Sequence, residues 1–134
     1  MSFSDIPLLN ILQQKMGWLS DRQSVLSRNI ANASTPGFTP QDLDPKGFAN
    51  AVSEATRGSL SATNGMHLQS RSSVGGAFRP MRAPDSQSSP DGNAVVVEEQ
   101  MMKVAETQMS YAEAAGLYKK MVSMWRTALG GSHG

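Results

Sequence analysis

Apolar residues recur at helical spacing at both ends of the 134-residue chain, whereas the middle shows no such period. Near the N-terminus a heptad stripe extends from Leu9 to Ala33, and Gln23 is its one polar member. The stripe predicts a helix that accepts Pro7 in its first turn and ends near Asn32. The seam of this helix comprises Leu9, Leu12, Met16, Leu19, Leu26 and Ile30.

A second apolar stripe on the same helix widens its hydrophobic surface beyond a two-stranded contact. Its members are Leu8, Ile11, Trp18 and Val25. We therefore expect this helix to contact more than one neighbour, and pairing with one other helix to leave the second stripe exposed.

The C-terminal part predicts one long helix from about Val95 to Leu129, after the turn signal Asp91-Gly92-Asn93. At 1.5 Å per residue this helix is roughly 50 Å long, more than a compact domain of this size encloses. Its heptad seam is Val97, Met101, Val104, Gln108, Tyr111, Ala115, Tyr118, Val122, Trp125 and Leu129. The last residues, 130–134, are typical of a frayed tail.

The middle segment, 39–94, is rich in serine, proline and glycine, which favours irregular or extended structure. A short amphipathic helix is predicted at 47–56, too short to persist without a partner. Residues 69–90 have the composition of a flexible or extended connection. Alternatively, Leu68, Val74 and Phe78 anchor short strands or loops against a neighbouring subunit. The predicted fold is thus mainly α, with long terminal helices (segments 1–38 and 95–134) pairing in a coiled-coil-like layer.

The first helix ends in a distinctive segment, residues 26–38, which we name the corner. Thr35 precedes a proline and is driven toward extended geometry, and Pro36-Gly37 suits the central positions of a type II turn. Asn29 and Asn32 favour a terminating cap, through left-handed backbone or bonds to free carbonyls. Local chemistry leaves two interpretations open, an ordinary helix end or a recognition corner.

Composition and charge exclude several classes of protein. Only 39% of residues are apolar and 6% aromatic, so few apolar side chains are available for a large hydrophobic core within a single chain. The formal net charge is +1 without a basic cluster, so a nucleic-acid binder is disfavoured. There is no cysteine, the start lacks the pattern of a secretory signal, and the apolar runs are too short for a membrane span.

Candidate chemistry is sparse. The two histidines, His67 and His133, have no spaced ligand set around them, and no phosphate loop or nucleophile elbow occurs. We therefore expect no catalytic residues, no metal and no cofactor. The methionines of the last helix, Met101, Met102, Met109, Met121 and Met124, indicate either core packing or an adaptable binding surface.

The corner resembles the N-terminal signature of bacterial flagellar axial proteins, the rod and hook family, with its Asn-Ile-Ala-Asn and Thr-Pro-Gly-aromatic elements. Residues 41–48, 63–68 and 91–93 are similar to the proximal rod subunits in particular. The resemblance implies an assembly motif made of Leu26, Asn29, Ile30, Ala31, Asn32, Thr35, Pro36, Gly37 and Phe38.

The same resemblance implies a structural subunit of the flagellar basal body in the periplasmic rod. Such a subunit leaves the cytoplasm through the flagellar type III apparatus without a cleaved signal. Its implied partners are copies of itself, other rod proteins, and basal-body and export-gate components, with no nucleic acid, membrane insertion or small-molecule substrate.

Three alternatives remain open from the sequence. A small coiled-coil adaptor or export chaperone carries similar seams but forms a closed oligomer. An ordinary monomeric helical hairpin satisfies its seams internally. A peptidoglycan-degrading enzyme needs a cleft with paired carboxylates, for which this chain has no evident domain.

Overall fold

The computed structural model describes residues 6–56, 78–85 and 94–130. Within these residues it contains three helices and two short strands, so the mainly α-helical fold predicted from the sequence is confirmed. In chain order the elements are α1 (Pro7–Ala31), β1 (Gln41–Leu43), α2 (Pro45–Thr56), β2 (Pro80–Arg82) and α3 (Val97–Gly130).

The two long helices pack against each other in antiparallel orientation. Gln13, early in α1, donates a hydrogen bond to the Tyr118 hydroxyl, late in α3, at 3.1 Å. At the opposite end Asn29, late in α1, donates to Gln100, early in α3, at 2.8 Å. Among the described residues, the buried hydrophobic side chains are Leu9, Leu12, Leu19, Val25, Leu26, Leu43 and Ala114.

The contact surface of α3 differs from the heptad seam that the sequence predicts. Its buried residues are Gln100, Thr107 and Ala114, spaced by seven and thus on one face. Small and polar side chains permit close approach of α1, and the Thr107 hydroxyl is satisfied by the Lys103 carbonyl at 2.6 Å. The predicted seam lies beside this face: Val97, Val104, Ala115, Tyr118, Val122 and Trp125 are half-buried, while Met101, Gln108, Tyr111 and Leu129 are exposed.

Helix α2 packs against the second apolar stripe of α1 at Trp18. The rings of Trp18 and Phe48 lie 6.0 Å apart at their centroids, and Val25 is buried. The expectation that helix pairing leaves this stripe exposed is therefore wrong for Trp18 and Val25, although Leu8 remains 44% exposed. The reason is that the predicted short helix finds its partner within the chain.

The start of α2 follows from local chemistry. Pro45 occupies the first helical position, where its missing N–H costs no hydrogen bond. The Asp44 carboxylate accepts from the Lys46 N–H at 2.9 Å, which caps the helix. The sequence predicts this helix two residues later, at 47.

Strands β1 and β2 form an antiparallel two-stranded sheet, with Gln41 opposite Arg82 and Leu43 opposite Pro80. The Ala83 N–H extends the pairing by donating to the Pro40 carbonyl at 2.9 Å. The sequence pattern does not predict this pairing. Phe78 packs within the chain near Gly47, whereas Leu68 and Val74, like the tail 131–134, lie outside the described residues.

Candidate functional site

The corner begins where α1 ends, at Ala31, and Asn32 caps the helix as predicted. The Asn32 N–H donates to the Arg28 carbonyl at 3.1 Å, and its side-chain Nδ2 donates to the same carbonyl at 2.8 Å. The Thr35 hydroxyl in turn donates to Asn32 Oδ1 at 3.2 Å. Carbonyls left free by the last turn are thus satisfied by the corner itself.

The predicted type II turn is confirmed at residues 35–38. The Phe38 N–H donates to the Thr35 carbonyl at 3.2 Å, with Pro36 and Gly37 at the central positions. Gly37 has φ +73°, the left-handed conformation that this turn requires at its third residue. The turn directs the chain back along α1 into Pro40, which is buried, and then into β1.

Replacing Gly37 with Val is expected to destabilise the chain by about 1–2 kcal/mol, because a β-branched residue is strained at positive φ. Apart from its two chain neighbours, no residue comes within 4 Å of where a Cβ at Gly37 would lie, so the cost is backbone strain alone. Asn tolerates this conformation, and G37N is expected to lose only a few tenths of a kcal/mol. Urea unfolding of both variants checks this; equal stability of G37V and G37N contradicts it.

Asn29 does not cap its own helix, contrary to the expectation from the sequence. Asn29 is 1% exposed and lies two residues before the end of α1, and its side chain faces β1 and α3. Oδ1 accepts from the Gln41 N–H at 3.0 Å, and Nδ2 donates to the Gln41 carbonyl at 2.6 Å. The amide thereby pairs with the backbone of β1 as a neighbouring strand would. Neither Asn29 nor Asn32 adopts the left-handed backbone considered from the sequence, because no described residue other than glycine has positive φ.

The Asn29 amide continues into a buried polar network that reaches α3. Nδ2 also donates to Gln100 Oε1 at 2.8 Å, and Gln100 Nε2 donates to both oxygens of Asp85, each at 2.9 Å. Asp85 further accepts from Lys103 Nζ at 3.0 Å and from the Val96 N–H at 2.8 Å. We call Asn29, Asp85, Gln100 and Lys103 the polar network. It joins the end of α1, strand β1, the segment after β2 and the start of α3.

The electrostatics of the network favour an ionised Asp85. Its side chain is fully buried, and burial by itself raises the pKa of the carboxyl. Hydrogen bonds from Gln100, the Val96 N–H and Lys103, together with the Lys103 charge, outweigh burial and hold the pKa below its ordinary value. The folded chain therefore binds the Asp85 proton less readily than the unfolded chain does.

The lowered pKa of Asp85 predicts that the folded chain loses stability in acid. The stabilisation due to Asp85 is present above the ordinary aspartate pKa of about 4 and is lost as the pH falls below it, toward the folded pKa. Urea unfolding at pH 6 and pH 3 is expected to show a smaller pH-dependent loss for D85N than for the wild-type chain. E98Q removes an exposed carboxylate and controls for net charge. Equal losses in D85N and wild type contradict the assignment.

A second polar contact holds β1 against the middle of α1. Arg22 donates to both carboxylate oxygens of Asp42, from Nε at 2.9 Å and from a terminal nitrogen at 3.0 Å. The Arg22 guanidinium also lies 5.6 Å from the centroid of the Trp18 ring. Asp42 accepts the Leu43 N–H at 2.8 Å as well. The chain after the corner is thus fixed at two points along α1.

The structure brings only part of the predicted assembly motif into this arrangement. Leu26 and Asn29 are buried, and Ile30, Asn32 and Phe38 are half-buried. The tip of the corner, with Thr35, Pro36 and Gly37, is exposed, as is Ala31. In the seam of α1, Leu9, Leu12 and Leu19 are buried and Met16 is half-buried. The motif therefore has a packed base and an exposed tip.

Sequence reasoning missed Asp85, Gln100 and the Arg22–Asp42 pair. Asp85 lies in a segment without periodicity, and no signal in the sequence connects it with α3. Gln100 carries a weak signal, since it stands seven residues before Thr107 and fourteen before Ala114 on one helical face.

The polar contacts around the corner join separate segments of the chain to one another. In the part of the chain that the structure describes, no group of histidine and acidic side chains is placed to hold a metal ion. The same residues include no helix both long and apolar enough to cross a membrane. The polar groups of the network bind one another, and large apolar side chains of α3 face outward, with Met101 60%, Met102 70% and Met109 65% exposed.

Comparison with known proteins identifies relatives along most of the chain. The sequence profile of the flagella basal body rod protein family matches residues 18–39, the second half of α1 and the corner. The flagellar basal body rod protein FlgB of Agrobacterium fabrum is 34% identical over 127 residues, 92% of each chain. FlgB of Aeromonas hydrophila is 30% identical over 98% of each chain, and FlgB of Escherichia coli K12 is 31% identical over 87% of this chain and 91% of its own.

Proposed function

The chain belongs to the FlgB family of flagellar basal body rod proteins, and from that premise we propose that it is a structural subunit of the proximal rod. In this role it assembles helically with copies of itself and with other axial proteins. The assembly helps to form the drive shaft and the export channel. The corner residues 26–38, and the helix seams beside it, are the parts that we assign to assembly.

The observation that carries this proposal is the apolar surface that the paired helices leave uncovered. Among the described residues, large apolar side chains are exposed on α1, β2 and above all α3. A subunit that works alone rarely keeps so much apolar surface in water, whereas a subunit of a polymer buries it against neighbours. The exposed residues are Leu8, Met81, Met101, Met102, Met109, Tyr111, Leu117, Met124 and Leu129.

The polar network supports a role as a rigid structural subunit. It ties the end of α1, the strand after the corner and the start of α3 into one unit through hydrogen bonds that are buried between Asn29 and Gln100 and partly buried elsewhere. Buried and fully paired polar groups specify one arrangement of the elements they join. A rod subunit that transmits torque benefits from such a fixed relation between its helices and its corner.

Partners and location follow from the same premise. We infer contacts with other rod proteins and with basal-body and export-gate components, and a periplasmic position reached through the flagellar type III apparatus without a cleaved signal. We assign no enzymatic activity. The alternative of a small adaptor or export chaperone is not favoured, because the relatives matched over most of both chains are rod proteins.

A deletion strain tests this function. Removing the gene is expected to abolish swimming and rod formation, and a wild-type copy is expected to restore both. An immunoblot of purified basal bodies should then contain the chain. A strain that swims normally without the gene, or basal bodies from the restored strain that lack the chain, would overturn the proposal.

A further inference from the structure

Helix α3 has one more apolar face than the chain itself uses. Its buried face, with Gln100, Thr107 and Ala114, packs on α1. The heptad seam beside that face includes Val104 and Tyr118, both half-buried, and Tyr111, which is 41% exposed. An apolar heptad seam is the surface on which a further helix packs.

This seam borders a groove between α1 and α3 on the side away from α2. Ser20 lines the groove, and it lies two residues after Trp18, which contacts α2. Two residues correspond to about 200° around a helix, so the groove and α2 occupy opposite sides of α1. No element in the described part of the chain covers the groove.

The groove contains a cavity of about 260 Å³. The two glutamines that interrupt the apolar seams, Gln23 of α1 and Gln108 of α3, meet at this cavity. Its volume exceeds the roughly 150 Å³ of an apolar cavity that accepts benzene, so it has room for a large side chain. The lining residues are Leu19, Ser20, Gln23, Thr107, Gln108 and Tyr111.

The face of α3 opposite Thr107 is also apolar and unpartnered within the described residues. We call it the outer face; by helical spacing it comprises Met102, Ala105, Met109, Ala112 and Gly116, all exposed. Between residues 102 and 116 it carries no charged side chain, and the exposed Glu98 and Lys120 continue the same face at its two ends. Methionines fit irregular cavities because their side chains are unbranched and flexible.

The side of the groove that α1 forms is compatible with the outer face, because it is uncharged and its side chains are mostly small. Its exposed residues by helical spacing are Gln13, Gly17, Ser20, Ser24, Ser27 and Ala31, all uncharged and mostly small. Contact between this surface and the stretch of the outer face from Met102 to Gly116 therefore removes no ion from water. Small residues on one helix also admit larger methionines from another.

We propose that the outer face of α3 in one copy docks in the groove of the next copy, with Met109 filling the cavity. This inference rests on the proposed function, since it names the contact by which the subunit repeats. The groove and the outer face are different surfaces, so the contact is heterologous and leaves one of each free at the ends. Such a contact propagates along a helical assembly.

Cross-linking of mixed variants tests the contact. The chain has no cysteine of its own, so S20C and M109C introduce the only thiols. The two purified proteins are mixed at high concentration, and co-expressed for isolation of basal bodies, then treated with a short bismaleimide. We expect S20C–M109C dimers at least tenfold above S20C–S20C and M109C–M109C dimers. N50C on the exposed surface of α2 is the control partner and is expected to give no dimer with M109C.

The outcomes separate this contact from the proposed function. Basal bodies that contain both the S20C and the M109C chains but give no S20C–M109C product overturn the contact and leave the rod function standing. Predominant M109C–M109C dimers also overturn it, since they indicate a two-fold contact between outer faces. If either variant fails to fold by circular dichroism, the pair S27C and M102C joins the same two surfaces and decides the question.

Discussion

Replacing Asn29 with Asp is expected to lower the free energy of unfolding by roughly 3 kcal/mol, although the two side chains have nearly the same shape. Nδ2 of Asn29 donates to two acceptors, the Gln41 carbonyl and Gln100 Oε1. A carboxylate oxygen in its place faces both acceptors without a proton, in a site that is 1% exposed. Buried acceptors without donors are costly, so the corner should detach from α3.

Urea unfolding of N29D beside N50D checks this prediction. Asn50 is exposed on α2, and N50D introduces the same charge without touching the polar network. We expect N50D to stay within about 0.5 kcal/mol of wild type. An N29D variant as stable as N50D would mean that the network does not hold the corner in place.

Replacing Leu26 with Ala is expected to cost about 2–5 kcal/mol and to abolish swimming. Leu26 is fully buried in the base of the corner, so truncation removes apolar contacts and leaves a cavity. The matched variant L8A shortens the same type of side chain at a position that is 44% exposed. We expect it to cost less than about 1 kcal/mol.

Thermal unfolding of the two leucine variants, with swimming in soft agar, measures the difference. A destabilisation of L26A no greater than that of L8A would contradict the packing described for the corner. Unfolded subunits are also removed by proteases in cells, so the amount of each variant is determined by immunoblot alongside swimming.

Features encoded locally were predictable from the sequence. The seam of α1, the Pro36-Gly37 turn and the cap by Asn32 each depend on residues within a few positions of one another. Helix α2 was also predicted, because Phe48 and its neighbours show helical spacing. In each case backbone preferences and the hydrophobic pattern act in the same direction.

Features that depend on distant residues were not predictable in the same way. Asn29 and Gln100 are 71 positions apart, and a single sequence contains nothing that pairs them. Asparagine near a helix C-terminus favours a helix cap. Asn29 instead lies within the last turn of α1, where its side chain can reach β1 and α3. Strand β2 is three residues long and includes a proline, so its pattern carries no strand signal.

The rotation of α3 is the most instructive difference. A hydrophobic pattern indicates which residues avoid water but not which partner covers them. The most apolar heptad seam was expected to be the surface buried against α1. The fully buried residues of α3 are instead Gln100, Thr107 and Ala114, while the seam meets α1 only at its margin, where Tyr118 accepts a hydrogen bond from Gln13. The apolar seam is thereby left beside the groove, where another subunit can reach it.

Oxidation of the native methionines tests most directly whether the chain is a rod subunit with its outer face buried. Free chain and isolated basal bodies are exposed to dilute peroxide, and oxidation of each methionine is followed by mass spectrometry. We predict rapid oxidation of Met102 and Met109 in the free chain and at least tenfold slower oxidation in basal bodies, with half-buried Met16 slow in both. Equal rates for Met102 and Met109 in the two samples, or basal bodies without the chain, would contradict the account.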